Sequence, residues 1–81
     1  MLISAFGAVA LATDVVNKDN KLYKLKVQSE AKLSISTYDV KANTTMYGLC
    51  NASFCSFEIP GSKIEAKKDE RVTIHNGKLS K

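Results

Sequence analysis

Two cysteines in a short extended segment constrain the fold of this chain more than any other feature of its sequence. Within the segment Thr44–Ile59, which reads TTMYGLCNASFCSFEI, Cys50 and Cys55 stand at the two ends of the four-residue loop Asn51–Phe54. The runs on both sides of the loop are extended, and the two cysteines face each other if these runs pair as a hairpin. We therefore predict a Cys50–Cys55 disulfide that clamps a hairpin.

The side-chain alternation of strands extends this prediction to the residues beside the disulfide. With the cysteines opposite each other, Gly48 faces Phe57 and Met46 faces Ile59. The Phe57 ring can then lie over the bare backbone of the glycine. A disulfide across so short a loop adds roughly 2 kcal/mol to stability in the chain-entropy model. This contribution is useful in a chain of 81 residues, because a chain of that length has a small core.

Much of the remaining sequence alternates between apolar and polar residues with the period of a half-buried strand. The alternation is clearest in residues 22–27, 33–37 and 71–75. A Pro-Gly pair at positions 60–61 and an Asn-Gly pair at positions 76–77 predict tight turns between strands. We predict an all-β fold, a small antiparallel barrel or sandwich of about six short strands that contains the disulfide-clamped hairpin.

The first twelve residues differ from the rest of the chain. Residues 1–12, MLISAFGAVALA, carry no charge and end in an A-x-A pattern, which resembles the core and cleavage site of a signal peptide. We interpret them as a signal-peptide remnant, or alternatively as the first strand, and residues 13–81 as a single small β-domain. A membrane span needs about 20 apolar residues, so we predict none. Because disulfides persist in oxidising compartments, we predict a periplasmic or extracellular location.

No combination of residues in the sequence is typical of an enzyme active site or a metal centre. Nucleophilic catalysis needs a base and an orienting group beside the nucleophile, and the single histidine, His75, stands next to a predicted turn. The cysteine spacing differs from the C-x-x-C of redox dithiols, and zinc sites usually have two close ligand pairs. We therefore predict no catalytic residue, no cofactor and no metal site. The alternative, a metal carrier, requires reduced cysteines with His75 or Met46 close to them.

The charge of the chain leaves nucleic-acid binding open as an alternative function. The formal net charge is +4, and the basic residues are scattered along the sequence. Small basic β-barrels bind single strands through a cationic groove and exposed aromatic rings, which here would come from Tyr23, Tyr38 and Tyr47. Tyr23 shares a strand face with Leu25 and Val27, however, which is typical of a core residue. We therefore do not expect nucleic acid to be the main partner.

We expect a small exported module that acts by binding another protein, in an inhibitory or envelope-associated role. Its predicted binding surface is the tip of the hairpin, formed by Asn51, Ala52, Ser53 and Phe54. Phe54 is the predicted anchor because alternation places its ring off the inward face, although the ring could instead fold back over the disulfide. A further alternative is a structural subunit that forms a homo-oligomer by strand addition, with residues 1–16 completing the sheet of a neighbour.

Overall fold

The computed structural model describes residues 13–30 and 32–81 of the 81-residue chain. The strands are β1 (Thr13–Asn17), β2 (Tyr23–Ser29), β3 (Ser36–Val40), β4 (Thr45–Cys50), β5 (Phe54–Ile59), β6 (Ser62–Lys67), β7 (Arg71–His75) and β8 (Lys78–Ser80). They form two four-stranded sheets, with strand orders β4-β1-β7-β8 and β3-β2-β5-β6. The all-β prediction is confirmed, with eight strands in the described residues in place of about six.

The interpretation of residues 1–12 as a signal-peptide remnant or a first strand falls outside the described residues. Residues 13–16, which the strand-addition alternative assigns to the sheet of a neighbour, belong to β1 in the sheet of their own chain. There β1 lies between β4, to which it is antiparallel, and β7, to which it is parallel. No helix long and apolar enough to cross a membrane occurs in residues 13–30 and 32–81.

One apolar core lies between the two sheets. The first sheet contributes the fully buried side chains of Val15, Val72 and Ile74, and the second contributes those of Leu25 and Phe57. The alternation of β2 is reproduced in full, since its residues switch between buried and exposed along Tyr23–Val27. The two sheets face each other as a sandwich and do not close into a barrel, so the sandwich form of the prediction is the one found.

Both predicted turns join neighbouring strands of one sheet. The turn at residues 60–61 connects β5 to β6, and Gly61 has the positive φ of 88° that this position requires. The turn at residues 76–77 connects β7 to β8, with φ values of 54° at Asn76 and 75° at Gly77. Both residues in the left-handed region are typical of the two-residue hairpin turn that an Asn-Gly pair predicts.

The predicted disulfide is present, whereas the predicted strand register beside it is wrong. Cys50 and Cys55 are bonded, with their Cα atoms 6.2 Å apart, and both are buried. However, β4 pairs with β1, and β5 pairs with β2 and β6. Phe57 therefore lies opposite Val27 and Ile64 and not opposite Gly48.

The physical reason for the different register is the packing of β5. As a central strand, β5 gives the Phe57 ring an apolar neighbour on each side, which pairing with a glycine would not provide. Met46 likewise lies opposite Val15 and not opposite Ile59. The short loop between the cysteines consequently crosses from one sheet to the other, and the disulfide ties the two sheets together.

Candidate functional site

The sandwich is closed along the side where β6 lies against β8. The backbone N–H of Leu79 in β8 donates a hydrogen bond of 2.9 Å to the hydroxyl of Ser62 in β6. The hydroxyl of Thr13 in β1 donates a 2.8 Å bond to the carbonyl of Lys67, also in β6. Both bonds join one sheet to the other, so the two sheets are connected on this side.

On the opposite side, the edge strands β3 and β4 are separated by a groove. A cavity of about 460 Å³ lies there, bordered by both edge strands, by the β2–β3 loop and by the β4–β5 turn. Its apolar surface comes from the buried Val27 and from three half-buried residues that pack against the core, Tyr38, Leu49 and Ala52. Among the described residues β3 and β4 each pair with one strand only, so each presents a row of unpaired backbone groups.

An irregularity in β4 shapes one wall of the groove. Thr13 lies opposite Cys50 and Val15 opposite Met46, so Asp14 alone faces three residues of β4. At the middle of these three, Gly48 has a φ of 68°, and its N–H donates a 3.1 Å hydrogen bond to the Asp14 carboxylate. Such a bulge disturbs the alternation of side chains and the regularity of a strand edge. As a result Leu49 lines the groove, while its near neighbour Tyr47 is 71% exposed.

The other wall is the regular edge of β3. Five successive residue pairs join β3 to β2 without a shift in register. Ser36 and Tyr38 line the groove, while Asp39 points to the outer face and lies 2.8 Å from the Lys24 ammonium. Free strand edges in proteins are usually blocked by a bulge, a proline or an inward-pointing lysine. The sequence of β3, STYDV, contains no proline and no lysine, and its one charged residue, Asp39, is paired with Lys24 on the outer face.

The β2–β3 loop forms one end of the groove. Lys32 and Ser34 line the cavity. The side-chain amide of Gln28 donates hydrogen bonds of 3.4 Å to the carbonyls of Lys32 and Leu33, and the N–H of Lys32 donates to the carbonyl of Ser29. These bonds connect the backbone around Lys32 to the end of β2. Leu33 points away from the groove and is 96% exposed.

The four residues of the predicted binding tip lie on two different sides of the β4–β5 turn. Asn51 and Ala52 line the groove between β3 and β4. Phe54 is 41% exposed and lines a separate cavity of about 210 Å³ beside β6. Its N–H donates a 3.3 Å bond to the Glu30 carboxylate, and the carbonyl of Ser53 accepts a bond from the N–H of residue 68. The turn is thus held on both sides, and it brings only Asn51 and Ala52 to the groove.

A partly exposed polar cluster occupies the end of the sandwich away from the disulfide. The Asp19 carboxylate accepts a 2.6 Å hydrogen bond from the Tyr23 hydroxyl and bonds of 2.7 and 2.9 Å from the N–H groups of Asn76 and Gly77. The bond from Tyr23 is the main cause that lowers the pKa of Asp19 below its ordinary value of 3.8. The same bond raises the pKa of Tyr23 above 10.0. All three donors belong to the protein, so this carboxylate connects the β1–β2 segment to β2 and to the β7–β8 turn.

The residues considered for other functions do not assemble in the described part of the chain. No group of three His, Cys, Asp or Glu side chains there could hold a metal ion, and the two cysteines that a metal carrier requires in reduced form are bonded to each other. Of the three tyrosines considered for base stacking, Tyr23 is buried, Tyr38 is half-buried and Tyr47 lies on the other sheet. They therefore do not form one stacking face.

Sequence reasoning missed the groove because its walls are distant in the chain. The alternation in residues 33–37 predicts a strand that begins three residues before β3, which spans Ser36–Val40, and it does not indicate that this strand lies at an edge of its sheet. A glycine inside a strand pattern can mark a bulge, and Gly48 was the one signal present in the sequence. No protein family, curated protein or solved structure matches this chain.

Proposed function

We propose that this chain is a small exported binding module that holds an extended segment of another polypeptide as an added strand on the free edge of β3. The observation that carries this proposal is the asymmetry of the sandwich. Its β6–β8 side is joined by hydrogen bonds between the sheets. Its β3–β4 side is joined only where β3 ends, by the bond from Asn17 to the carbonyl of Val40 among the described residues, and towards the start of β3 it is a groove of about 460 Å³. Strand addition is a common mode of peptide recognition, in which backbone hydrogen bonds supply affinity and side-chain pockets supply specificity.

Two features favour β3 over β4 as the edge that receives the strand. The ladder between β2 and β3 is regular over all of β3, so the N–H and C=O groups of its outer edge have the spacing that a further strand needs. In β4 the bulge around Gly48 interrupts that spacing. The wall formed by β4 then serves as a surface against which side chains of the bound segment pack.

The groove also constrains the sequence of the bound segment. Side chains of an added strand alternate between the two faces of the sheet. Those on the inner face lie beside Ser36 and Tyr38 and contact the apolar surface formed by Val27, Leu49 and Ala52. Those on the outer face lie in solvent. The preferred partner segment therefore has apolar residues at positions i and i+2, with polar residues between them.

An exported location is part of the proposal. It is supported by the disulfide, which is compatible with an oxidising compartment, and by the resemblance of residues 1–12 to a signal peptide. We expect protein recovered from the periplasm or the medium of its native host to lack residues 1–12 and to weigh about two daltons less than the reduced chain. Intact-mass analysis measures both, and a full-length, reduced cytosolic protein would contradict this location.

The binding proposal is tested with a phage library that displays random ten-residue peptides with free C-termini. We expect the oxidised protein to enrich peptides with the i, i+2 apolar pattern, with Kd values on the order of 10 µM. Hydrogen exchange should show added protection of the β3 amides that point away from β2. A second copy of the chain could pair with β3 in place of a peptide. Sedimentation equilibrium distinguishes the two possibilities, because it measures whether the protein forms a dimer. A stable homodimer that binds no peptide would contradict the proposal.

Two matched variants on neighbouring residues locate the site. Ser36 lines the groove, whereas the next residue, Thr37, is exposed on the outer face of the same strand. Ser36→Arg should fill the groove and weaken peptide binding at least about ten-fold, since loss of a packed contact costs more than about 1.4 kcal/mol. Thr37→Arg adds the same charge and should bind as the wild type does. Equal binding by the two variants would contradict a site between β3 and β4.

A further inference from the structure

We infer that the segment held on β3 is the C-terminus of the partner chain, with its terminal carboxylate bound by Lys32. This inference rests on the proposed function and adds the chemical class and the direction of the bound segment. It follows from three observations at the end of the groove lined by the β2–β3 loop and the β4–β5 turn: the charge of this end, the direction of β3, and the position of the loop and the turn at this end.

The first observation is the charge of this end of the groove. Among the described residues that line the cavity, Lys32 is the only charged one, and its other polar neighbours there, Ser29, Ser34 and Asn51, are neutral hydrogen-bond donors. Lys32 forms no ion pair within residues 13–30 and 32–81. The nearest acid in the sequence, Glu30, accepts a hydrogen bond from the N–H of Phe54 on the other side of the turn. A ligand group that fits this end is therefore anionic.

The second observation is the direction of β3. This strand begins at Ser36, near the end of the groove where Lys32 lies, and runs away from it to Val40. A strand that pairs with β3 in the antiparallel sense runs towards Lys32 and brings its C-terminus there. A parallel strand would bring an ammonium group towards the lysine, where like charges repel each other. Antiparallel pairing is also slightly the more stable of the two.

The third observation favours a chain terminus over an acidic side chain as the source of the carboxylate. Lys32 and Ser34 from the loop and Asn51 and Ala52 from the turn line the same cavity. The hydrogen bonds of Gln28 hold the loop, and the disulfide holds the turn. A segment that continued past Lys32 would have to pass between the loop and the turn, whereas a chain that ends there does not.

The test uses an enriched peptide synthesised twice, once as the free acid and once as the C-terminal amide. On the wild-type protein we expect amidation to weaken binding at least about ten-fold, because it removes a charge-assisted hydrogen bond. Lys32→Gln should weaken binding of the free acid by a similar factor and abolish the difference between acid and amide. Lys63→Gln is the matched control, because Lys63 is an exposed lysine of β6 that does not line the groove.

The outcomes separate this inference from the function on which it rests. If the wild type binds acid and amide equally and Ser36→Arg still binds neither, the proposed role of the terminal carboxylate is wrong. The proposal of strand addition is then not contradicted. A preference for the acid that persists in Lys32→Gln would overturn the role of Lys32. If exchanging an acidic side chain of the peptide for its amide weakens binding while C-terminal amidation does not, the source is a side chain and the inference is wrong. Failure of all peptides to bind would overturn the proposed function itself.

Discussion

Gly48 determines the course of β4 through its backbone. Its φ of 68° lies in the left-handed region, and its N–H is bonded to the Asp14 carboxylate at the centre of the bulge. An L side chain at this position is strained whatever space surrounds it. The sequence pattern assigns the glycine a different role, that of making room for Phe57, but the aromatic ring lies in the other sheet between Val27 and Ile64. The glycine is thus required here for its backbone conformation.

A substitution at this glycine should therefore lower stability even when the new side chain is small. We expect Gly48→Ala to reduce the free energy of unfolding by about 1 kcal/mol, and Gly48→Val to reduce it further because a β-branched residue tolerates positive φ less well. Urea unfolding measures both. Ser53→Ala, in the exposed loop of the β4–β5 turn, is the control and should change little. Unfolding curves of the two glycine variants that coincide with that of Ser53→Ala would contradict the strained position.

At the scale of the element, local patterns predict strands well and predict their partners poorly. The alternation in β2 and the turns at residues 60–61 and 76–77 each depend on a few neighbouring residues. The pairing of β1 with both β4 and β7 joins segments that are far apart in the sequence, and no local period encodes such a choice. The strand β1 was predicted only in the strand-addition alternative, as part of residues 1–16 in the sheet of a neighbour, because the two adjacent valines at positions 15 and 16 hide its alternation.

The β4–β5 turn illustrates the consequence for the candidate site. A disulfide between Cys50 and Cys55 is predicted by the spacing alone, and its presence does not depend on whether the two strands share a sheet. The position of the binding surface, in contrast, does depend on whether β4 and β5 share a sheet. When the strands enter different sheets, Asn51 and Ala52 turn towards β3 while Phe54 lies beside β6. The groove follows from the order of the strands, which the spacing of the cysteines does not contain.

Because the disulfide joins the two sheets, its loss should be visible in the unfolding of the molecule. We expect the double variant Cys50→Ala/Cys55→Ala to lose about 2 kcal/mol of stability relative to the oxidised wild type, mainly because its unfolded chain is less constrained. In the presence of a reducing agent, wild type and variant should unfold at similar urea concentrations. Identical midpoints for the variant and the oxidised wild type would show that the bond does not stabilise the fold.

At the scale of the whole molecule, the two sheets are held together by bonds at both ends and along both edges. The disulfide joins them at one end, and the hydrogen bonds between β6, β8 and β1 join them along one edge. At the other end Asp19, in the connection between β1 and β2, accepts bonds from Tyr23 of the second sheet and from the β7–β8 turn of the first. On the side of β3 and β4, the side-chain amide of Asn17 in β1 donates a 3.2 Å bond to the carbonyl of Val40, where β3 ends, and the groove lies towards the start of β3. Because bonds between the sheets surround the groove, we expect it to keep a constant shape, which lowers the entropic cost of binding there.

The hydrogen bonds of the Asp19 carboxylate make the stability of the sandwich depend on pH. Its hydrogen bonds favour the carboxylate, so the pKa of Asp19 is lower in the folded protein than its ordinary value of 3.8. A carboxyl group with a lowered folded pKa contributes stability that is fully present above the unfolded pKa and is lost as the pH falls through the folded pKa. We therefore expect the free energy of unfolding to fall on acidification below about pH 3.8, and part of that fall should be absent in Asp19→Asn, which cannot titrate.

Asp69→Asn, in the exposed turn between β6 and β7, is the control and should retain the acid dependence of the wild type. Thermal unfolding measured between about pH 2 and 7 provides the comparison, and an acid dependence in Asp19→Asn equal to that of the control would show that the carboxylate does not hold the two sheets together.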